Sequence, residues 1–276
     1  MKNTVALLAV AAATASAFGG LTQFSTEVST DGGLTWGPAA SVSVNTAGAT
    51  VRVLARSQVR FLPQAGDPAF DKLNSSRHQP QVTGLGASDA AIAGFNATGN
   101  INPNFADGLN VATDLGRDFG GGTVTAVVAH RPNASSLHYA EGTAPNAPGS
   151  GTGSNNADGS RGINCAQNIL STPSINVLNP INLFYYGVDL VAPSVVNTSR
   201  SVSFDVPANG VGLRGTAPNQ FRGVAWGYNN ADGALVTVNT PLAASLAGLV
   251  EISYVPAPGA AALMGLAGLV AGRRRR

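Results

Sequence analysis

In Thr50-Val51-Arg52-Val53-Leu54-Ala55-Arg56, Val51 and Val53 alternate with Thr50, Arg52 and Leu54. A period of two puts successive side chains on opposite faces, so this stretch predicts a strand with one buried and one half-wet face. The same period recurs in Thr123-Val124-Thr125-Ala126-Val127-Val128 and in Val202-Ser203-Phe204-Asp205-Val206. Further strands are expected at Leu21 to Val28, Ser41 to Val44, Ala49 to Leu54, Gly122 to Ala129 and Ser174 to Val177. Others are expected at Asn182 to Leu190, Ser201 to Val206, Phe221 to Tyr228, Ala234 to Val238 and Leu249 to Tyr254. Short strands separated by turn clusters predict an all-β chain, a β-sandwich or jelly roll.

The turns follow from residue chemistry. Asp31-Gly32-Gly33 after the first strand is a hairpin signal, because these positions accept φ > 0. Asn45-Thr46-Ala47-Gly48 predicts a second hairpin between Ser41 to Val44 and Ala49 to Leu54. Pro241 to Leu249 reads as a short helix with Leu242, Leu246 and Leu249 on one side. The Gly, Asn, Ser and Pro-rich run at 141–162 reads as a flexible loop. The pattern N-x-A-D-G appears at Asn104 to Gly108, Asn155 to Gly159 and Asn229 to Gly233. Unequal intervals argue against a repeat architecture, and the residues suit turns; Ca²⁺ ligation by the Asp and Asn oxygens is the alternative.

Composition narrows the function classes. Charged residues make up only 11% of the 276, against about 25% in average soluble domains. The formal charge is +2, from 16 Lys and Arg against 14 Asp and Glu. Lys2 and Arg273 to Arg276 supply five of those positive charges, so the stretch between them has 11 basic and 14 acidic residues, a net −3. No basic aromatic patch accompanies this balance, and nucleic acid is not an expected partner. Cys165 is the single cysteine, so no intrachain disulfide can form and a buried, inert thiol is expected.

Both ends read as targeting segments. Lys2, the apolar run Val5 to Ala13 and the A-x-A site of Ala15 and Ala17 predict a signal peptide over 1–17, cleaved before Phe18. At the other end, Val255-Pro256-Ala257-Pro258 precedes an uncharged run to Gly272 and then Arg273, Arg274, Arg275 and Arg276. From Val255 that run is 18 residues, the lower limit for a membrane-crossing helix. This layout resembles the PEP-CTERM sorting domain, a tripartite tail recognised by exosortase-type membrane enzymes. Val255, Pro256, Pro258 and the four arginines match it in order, while Ala257 stands where that family most often has Glu. The resemblance covers about the last 22 residues. It implies export, transient residence in the inner membrane, processing by an exosortase-type partner and transfer to the cell surface or extracellular matrix. The domain plan is then a signal peptide at 1–17, an exported β-sandwich at 18–254 and a sorting and transmembrane segment at 255–276.

Ser29-Thr30-Asp31-Gly32-Gly33-Leu34-Thr35-Trp36 resembles the Asp-box of sialidase-like propellers and other secreted β proteins. That resemblance implies that Asp31 ties a turn and that Trp36 packs beneath it. One copy is too few for a sialidase. The histidines His78, His130 and His138 and the glutamates Glu27, Glu141 and Glu251 are the candidate reactive groups. No G-x-S-x-G elbow, H-E-x-x-H helix or P-loop is present, so no catalytic residue, metal ligand or cofactor is assigned. His130 and His138 are expected to approach each other across a turn. Trp36, Trp226, Tyr185, Tyr186 and Tyr228 either pack the core or form a sugar-stacking face. The expectation is a non-enzymatic structural or adhesive protein of the extracellular polysaccharide matrix. A carbohydrate-binding or carbohydrate-active module on the same fold is the alternative, and a surface-layer protein a third reading.

Overall fold

The computed structural model describes residues 19–92, 116–117, 127–141, 163–166, 174–207, 223–257 and 259. Its strands in chain order begin with β1 (Leu21–Ser29), β2 (Ala39–Val44), β3 (Thr50–Leu62), β4 (Lys72–His78) and β5 (Gln81–Thr83). Next come β6 (Ala90–Ala91), β7 (Gly116–Arg117), β8 (Val127–Asn133), β9 (Ser136–Glu141) and β10 (Ile163–Ala166). Last are β11 (Ile181–Val191), β12 (Thr198–Asp205), β13 (Gly223–Asn229), β14 (Leu235–Asn239) and β15 (Gly248–Tyr254). The all-β expectation is met. The signal segment 1–17, Pro258, residues 260–276, most of the expected loop at 141–162 and two of the three N-x-A-D-G stretches lie outside the described residues. Among the described residues, no helix is long and apolar enough to cross a membrane.

Three sheets form the sandwich. Sheet A runs β1-β3-β11-β6, with β7 also on β11; sheet B runs β2-β15-β12-β5-β9-β8; sheet C runs β10-β4-β13-β14. The alternation at 50–56 continues to Leu62, giving a strand of 13 residues paired antiparallel on both edges. Its inner residues Val51, Val53, Ala55, Val59 and Phe61 join Phe24, Val28, Phe184, Tyr186, Val188 and Leu190 in one core. From sheet B that core takes Tyr139, Val202, Phe204, Val250 and Ile252, and from sheet C it takes Leu73, Val224 and Trp226. Sheets B and C therefore both face the inner side of sheet A. A bulge between Asn182 and Phe184 shifts the β11 register, leaving Asn182 opposite Gln58 while Leu183 and Phe184 are both buried.

Polar side chains cross this core. Tyr139 Oη donates to Gly187 O at 2.7 Å, linking sheets B and A. Trp226 Nε1 donates to Thr22 Oγ1 at 2.7 Å, and that hydroxyl also meets Thr240 Oγ1 at 2.5 Å. Ser57 Oγ lies 2.9 Å from His78 Nε2, linking sheets A and C. Burial pushes the Tyr139 and Tyr186 phenols well above their ordinary range, so both stay neutral.

Four local expectations are corrected. The stretches flanking Asn45 to Gly48 are not a hairpin: β2 pairs parallel with β15 in sheet B, while β3 enters sheet A. The turn with Gly48 at φ 67° instead carries the chain between sheets. Asp31-Gly32-Gly33 likewise closes a loop rather than a paired hairpin, since among the described residues the segment between it and β2 meets β1 at the single antiparallel Val28–Gly37 bridge. Ser174 to Val177 forms no strand; its bonds go singly to different places, Ile175 N to Asp71 O and Phe61 N to Val177 O. Pro241 to Leu249 is extended rather than helical. Its groups satisfy the outer edge of β1, with Thr22 N on Pro241 O, Ala243 N on Thr22 O, Leu246 N on Phe24 O and Thr26 N on Leu246 O. An open edge of β1 would leave those groups unpaired, whereas the supposed helix stripe has Leu246 and Leu249 each 50% exposed.

The joint between sheets A and B centres on a buried charge. The Asp89 side chain is 1% exposed. Its carboxylate accepts a fork from Arg200 at 2.6 and 2.8 Å, Val191 N at 2.7 Å and Gly86 N at 2.7 Å. Arg131 donates to the Asp89 and Gly86 carbonyls. Removing one member of such a buried pair leaves the other uncompensated. We expect Asp89→Ala to lower unfolding stability by about 3–5 kcal/mol, read by urea denaturation; a loss below about 1 kcal/mol would contradict the role given to this carboxylate.

Candidate functional site

The outer face of sheet A collects the polar half of the strand alternation. Cross-strand neighbours there run Gln23–Arg60, Ser25–Gln58–Asn182, Glu27–Arg56–Tyr185, Ser29–Leu54–Gly187 and Arg52–Asp189. These residues bond to one another sideways. Arg56 holds Glu27 Oε2 through Nε at 2.8 Å and Nη2 at 2.5 Å. Gln58 Nε2 donates to Asn182 Oδ1 at 2.8 Å and to Glu27 Oε2 at 3.3 Å, and its Oε1 accepts from Ser25 Oγ. Asn182 Nδ2 reaches Tyr185 Oη at 3.0 Å. Arg60 places Nε and Nη2 on Gln23 Oε1, at 2.9 and 2.6 Å. Gln58 is buried at the base while its neighbours are half-buried above it. The result is a flat, preformed field of donors and acceptors.

The loop at 29–36 overhangs this field. Asp31 Oδ1 accepts from Ser29 Oγ at 2.7 Å and from Leu34 N and Thr35 N at 3.0 Å, while Thr35 Oγ1 donates to Oδ2 at 2.5 Å. Ser29 Oγ in turn accepts from Gly33 N. Gly32 and Gly33 adopt φ 78° and 91°, which side-chain-bearing residues resist. So tied, the loop lays Trp36 over Arg56, whose guanidinium carbon is 4.7 Å from the ring centroid. Trp36 also meets Tyr185 edge-on at 5.7 Å and, with Leu54 and Ile92, forms a small second apolar cluster. Gly187 permits this packing: a Cβ there would lie 2.5 Å from Ile92 Cδ1 and 3.1 Å from Val53 O. Trp36 itself remains half-exposed at the rim.

No family model and no curated protein matches the chain. Among solved structures it is similar to the sixth cohesin of scaffoldin B from Acetivibrio cellulolyticus, crystallised with a Cel5 dockerin. That match has 8% identity, a TM-score of 0.30, and covers 85% of this chain and 99% of that one. It is also similar to the seventh ScaB type I cohesin from Pseudobacteroides cellulosolvens, at 6% identity and TM-score 0.32, covering 86% of this chain and 94% of that one. Values this low say nothing about ligand or activity.

The other sequence candidates disperse. Trp226 and Tyr186 are fully buried in the core, whereas Trp36 and the nearly buried Tyr185 lie at the polar field, so the five aromatics share no single face. Backbone register does set His130 opposite His138 on the β8–β9 hairpin, as expected. His138 and His78 are both buried, in sheets B and C. Glu251 is exposed on β15, away from Glu27. On the outer face of sheet A, Glu27 and Asp189 flank β3 four residues apart, about 13 Å along the strand, beyond the roughly 5–9.5 Å of a glycosidase pair. Among the described residues, no His, Cys, Asp and Glu group could hold a metal ion. At Asn229 to Gly233 the turn reading holds, with Asn230 Oδ1 accepting from Asp232 N and Ala234 N. Of the tail, Val255 is 47% exposed and Pro256 half-buried beyond the end of β15. Arg60, Gln58, Asn182 and Gln23 were not singled out by sequence; continuing the 50–56 alternation would have put Gln58 and Arg60 on the wet face, but nothing local pairs them with β1 or β11.

Hydrogen bonds from Ser29 and Thr35 hold the Asp31 carboxyl well below its ordinary value of 3.8. A lowered folded-state value means the carboxylate supports the loop fully above pH ~3.8 and loses that support as pH falls towards the folded value. The carboxyl carbon shift of Asp31 should therefore stay that of the ion well below pH 3.8; a midpoint near 3.8 would show that the loop is not tied as described.

Proposed function

We propose that this chain is an exported, surface-displayed β-sandwich that acts by adhesion, binding extracellular polysaccharide on the outer face of sheet A without turning it over. The observation that carries the reading is Trp36 held at the rim of the Arg56–Glu27–Gln58–Asn182 field. Sugars offer hydroxyls to planar amides and guanidinium groups and apolar ring faces to an aromatic side chain, and both are preorganised here. The separation of Glu27 from Asp189 supports binding over hydrolysis. Export and sorting are supported by the sequence at the two ends: Ala15 and Ala17 for signal cleavage, and Val255, Pro256, Pro258 and Arg273 to Arg276 for an exosortase-type enzyme.

Two measurements test this reading. Intact mass of the protein recovered from the cell surface should show a species starting at Phe18 and ending near Pro258; a species still carrying Arg273 to Arg276 would overturn the sorting part. The purified 18–258 chain should bind matrix polysaccharide from its host without releasing sugars, and Trp36→Ala should weaken binding roughly tenfold or more, the loss typical of an aromatic anchor. Unchanged binding in a folded Trp36→Ala variant would remove the site, and hydrolysis abolished by a single Asp or Glu change would remove the non-enzymatic reading.

A further inference from the structure

Three arginines, Arg52, Arg56 and Arg60, project from β3 onto the same face of sheet A. Their partners differ in charge. Arg52 forks onto Asp189 at 3.0 and 3.2 Å, and Arg56 grips Glu27, so both are neutralised by a carboxylate. Arg60 is held only by the neutral Gln23 amide oxygen, which takes Nε and Nη2 and leaves Nη1 without a hydrogen-bond partner among the described residues. Among the described residues no carboxylate bonds Arg60: Glu27 is held by Arg56 and Gln58, and Asp67 accepts from the backbone N–H groups of Gly20 and Gln64. Arg60 is thus a half-buried, oriented cation with a free edge. It lies about 13 Å along β3 from Arg56, over which Trp36 sits.

A guanidinium fixed by a neutral partner retains its whole charge and presents N–H groups in one plane, the arrangement that suits a carboxylate. From this complementarity we infer that the polysaccharide bound on sheet A is an acidic one, a uronic-acid polymer whose carboxylate pairs with Arg60 while a sugar ring of the same chain lies against Trp36. The inference rests on the polysaccharide reading above and gives it a chemical class. Gln23 is then a positioning residue: it touches no ligand but aims the guanidinium.

The test compares a polyuronate, alginate, with the neutral polymer dextran as probes of the 18–258 chain in low and high salt. Alginate should bind at least about tenfold tighter than dextran at low salt, and the preference should fade as salt rises. Arg60→Gln should remove that preference by weakening alginate binding far more than dextran binding, and Gln23→Leu, with the cation present but unaimed, should give an intermediate loss. Equal binding of both polymers, or an alginate preference that survives Arg60→Gln in a folded protein, would overturn the inference and leave the polysaccharide reading standing. Binding of neither polymer, nor of host matrix polysaccharide, would remove both. Unfolding curves of the two variants, expected to match the parent within about 1 kcal/mol, separate loss of the site from loss of the fold.

Discussion

Thr50–Leu62 is hydrogen-bonded along both edges, to β1 and to β11, so its side chains have only two directions to go. One direction must be apolar, because sheets B and C close over it. The other carries Arg52, Arg56, Gln58 and Arg60, which can stay there only because β1 and β11 bring Glu27, Gln23, Asn182 and Asp189 alongside. A register slip of one residue would exchange the two sets, burying guanidinium groups and exposing valines. The core and the polar field are therefore one decision, taken twice along the same strand.

The interior is not purely apolar, and its polar links have a common form. Tyr139, Trp226 and His78 each reach from sheet B or C to a group on sheet A. Each bond contributes only about 1 kcal/mol net, but a misaligned packing would leave a buried donor or acceptor unmade, at about 1–3 kcal/mol apiece. Such contacts act less as glue than as a template: they favour one alignment of the layers over others that bury the same apolar area. Gly248 works in the same sense by subtraction, since a Cβ there would come within 2.9 Å of Val28 Cγ1 and 3.0 Å of Thr26 O where β15 passes β1.

What could be read in the sequence follows from the range over which each signal acts. Alternation is local, so β1, β3, β11, β12 and β15 were visible in Val, Phe and Ile spacing. Lys72–His78 is too polar to look like a strand, yet β10 and β13 pair it on both sides. The parallel β2–β15 pair joins residues some 210 apart, and no turn announces it. Pro241 to Leu249 misled because leucines at helical spacing also occur in an extended segment whose backbone, rather than its side chains, makes the contacts. For the site, the Ser-x-Asp-x-Gly-x-Thr-Trp loop was legible as a self-contained turn, since its bonds span four residues or fewer. That it would lay Trp36 over Arg56 was not, because the contact depends on which sheet the chain enters on either side.

β15 has a mechanical consequence. It lies inside sheet B, with seven residue pairs to β12 and six to β2, and the chain continues from its C-terminal end through Val255. A pull on that continuation acts along the strand axis, so it loads both ladders in shear. Their hydrogen bonds then bear tension together instead of opening one after another from an end, as they would in a peeled edge strand. A module built this way resists being dragged from its C-terminal side more strongly than its equilibrium stability alone would indicate.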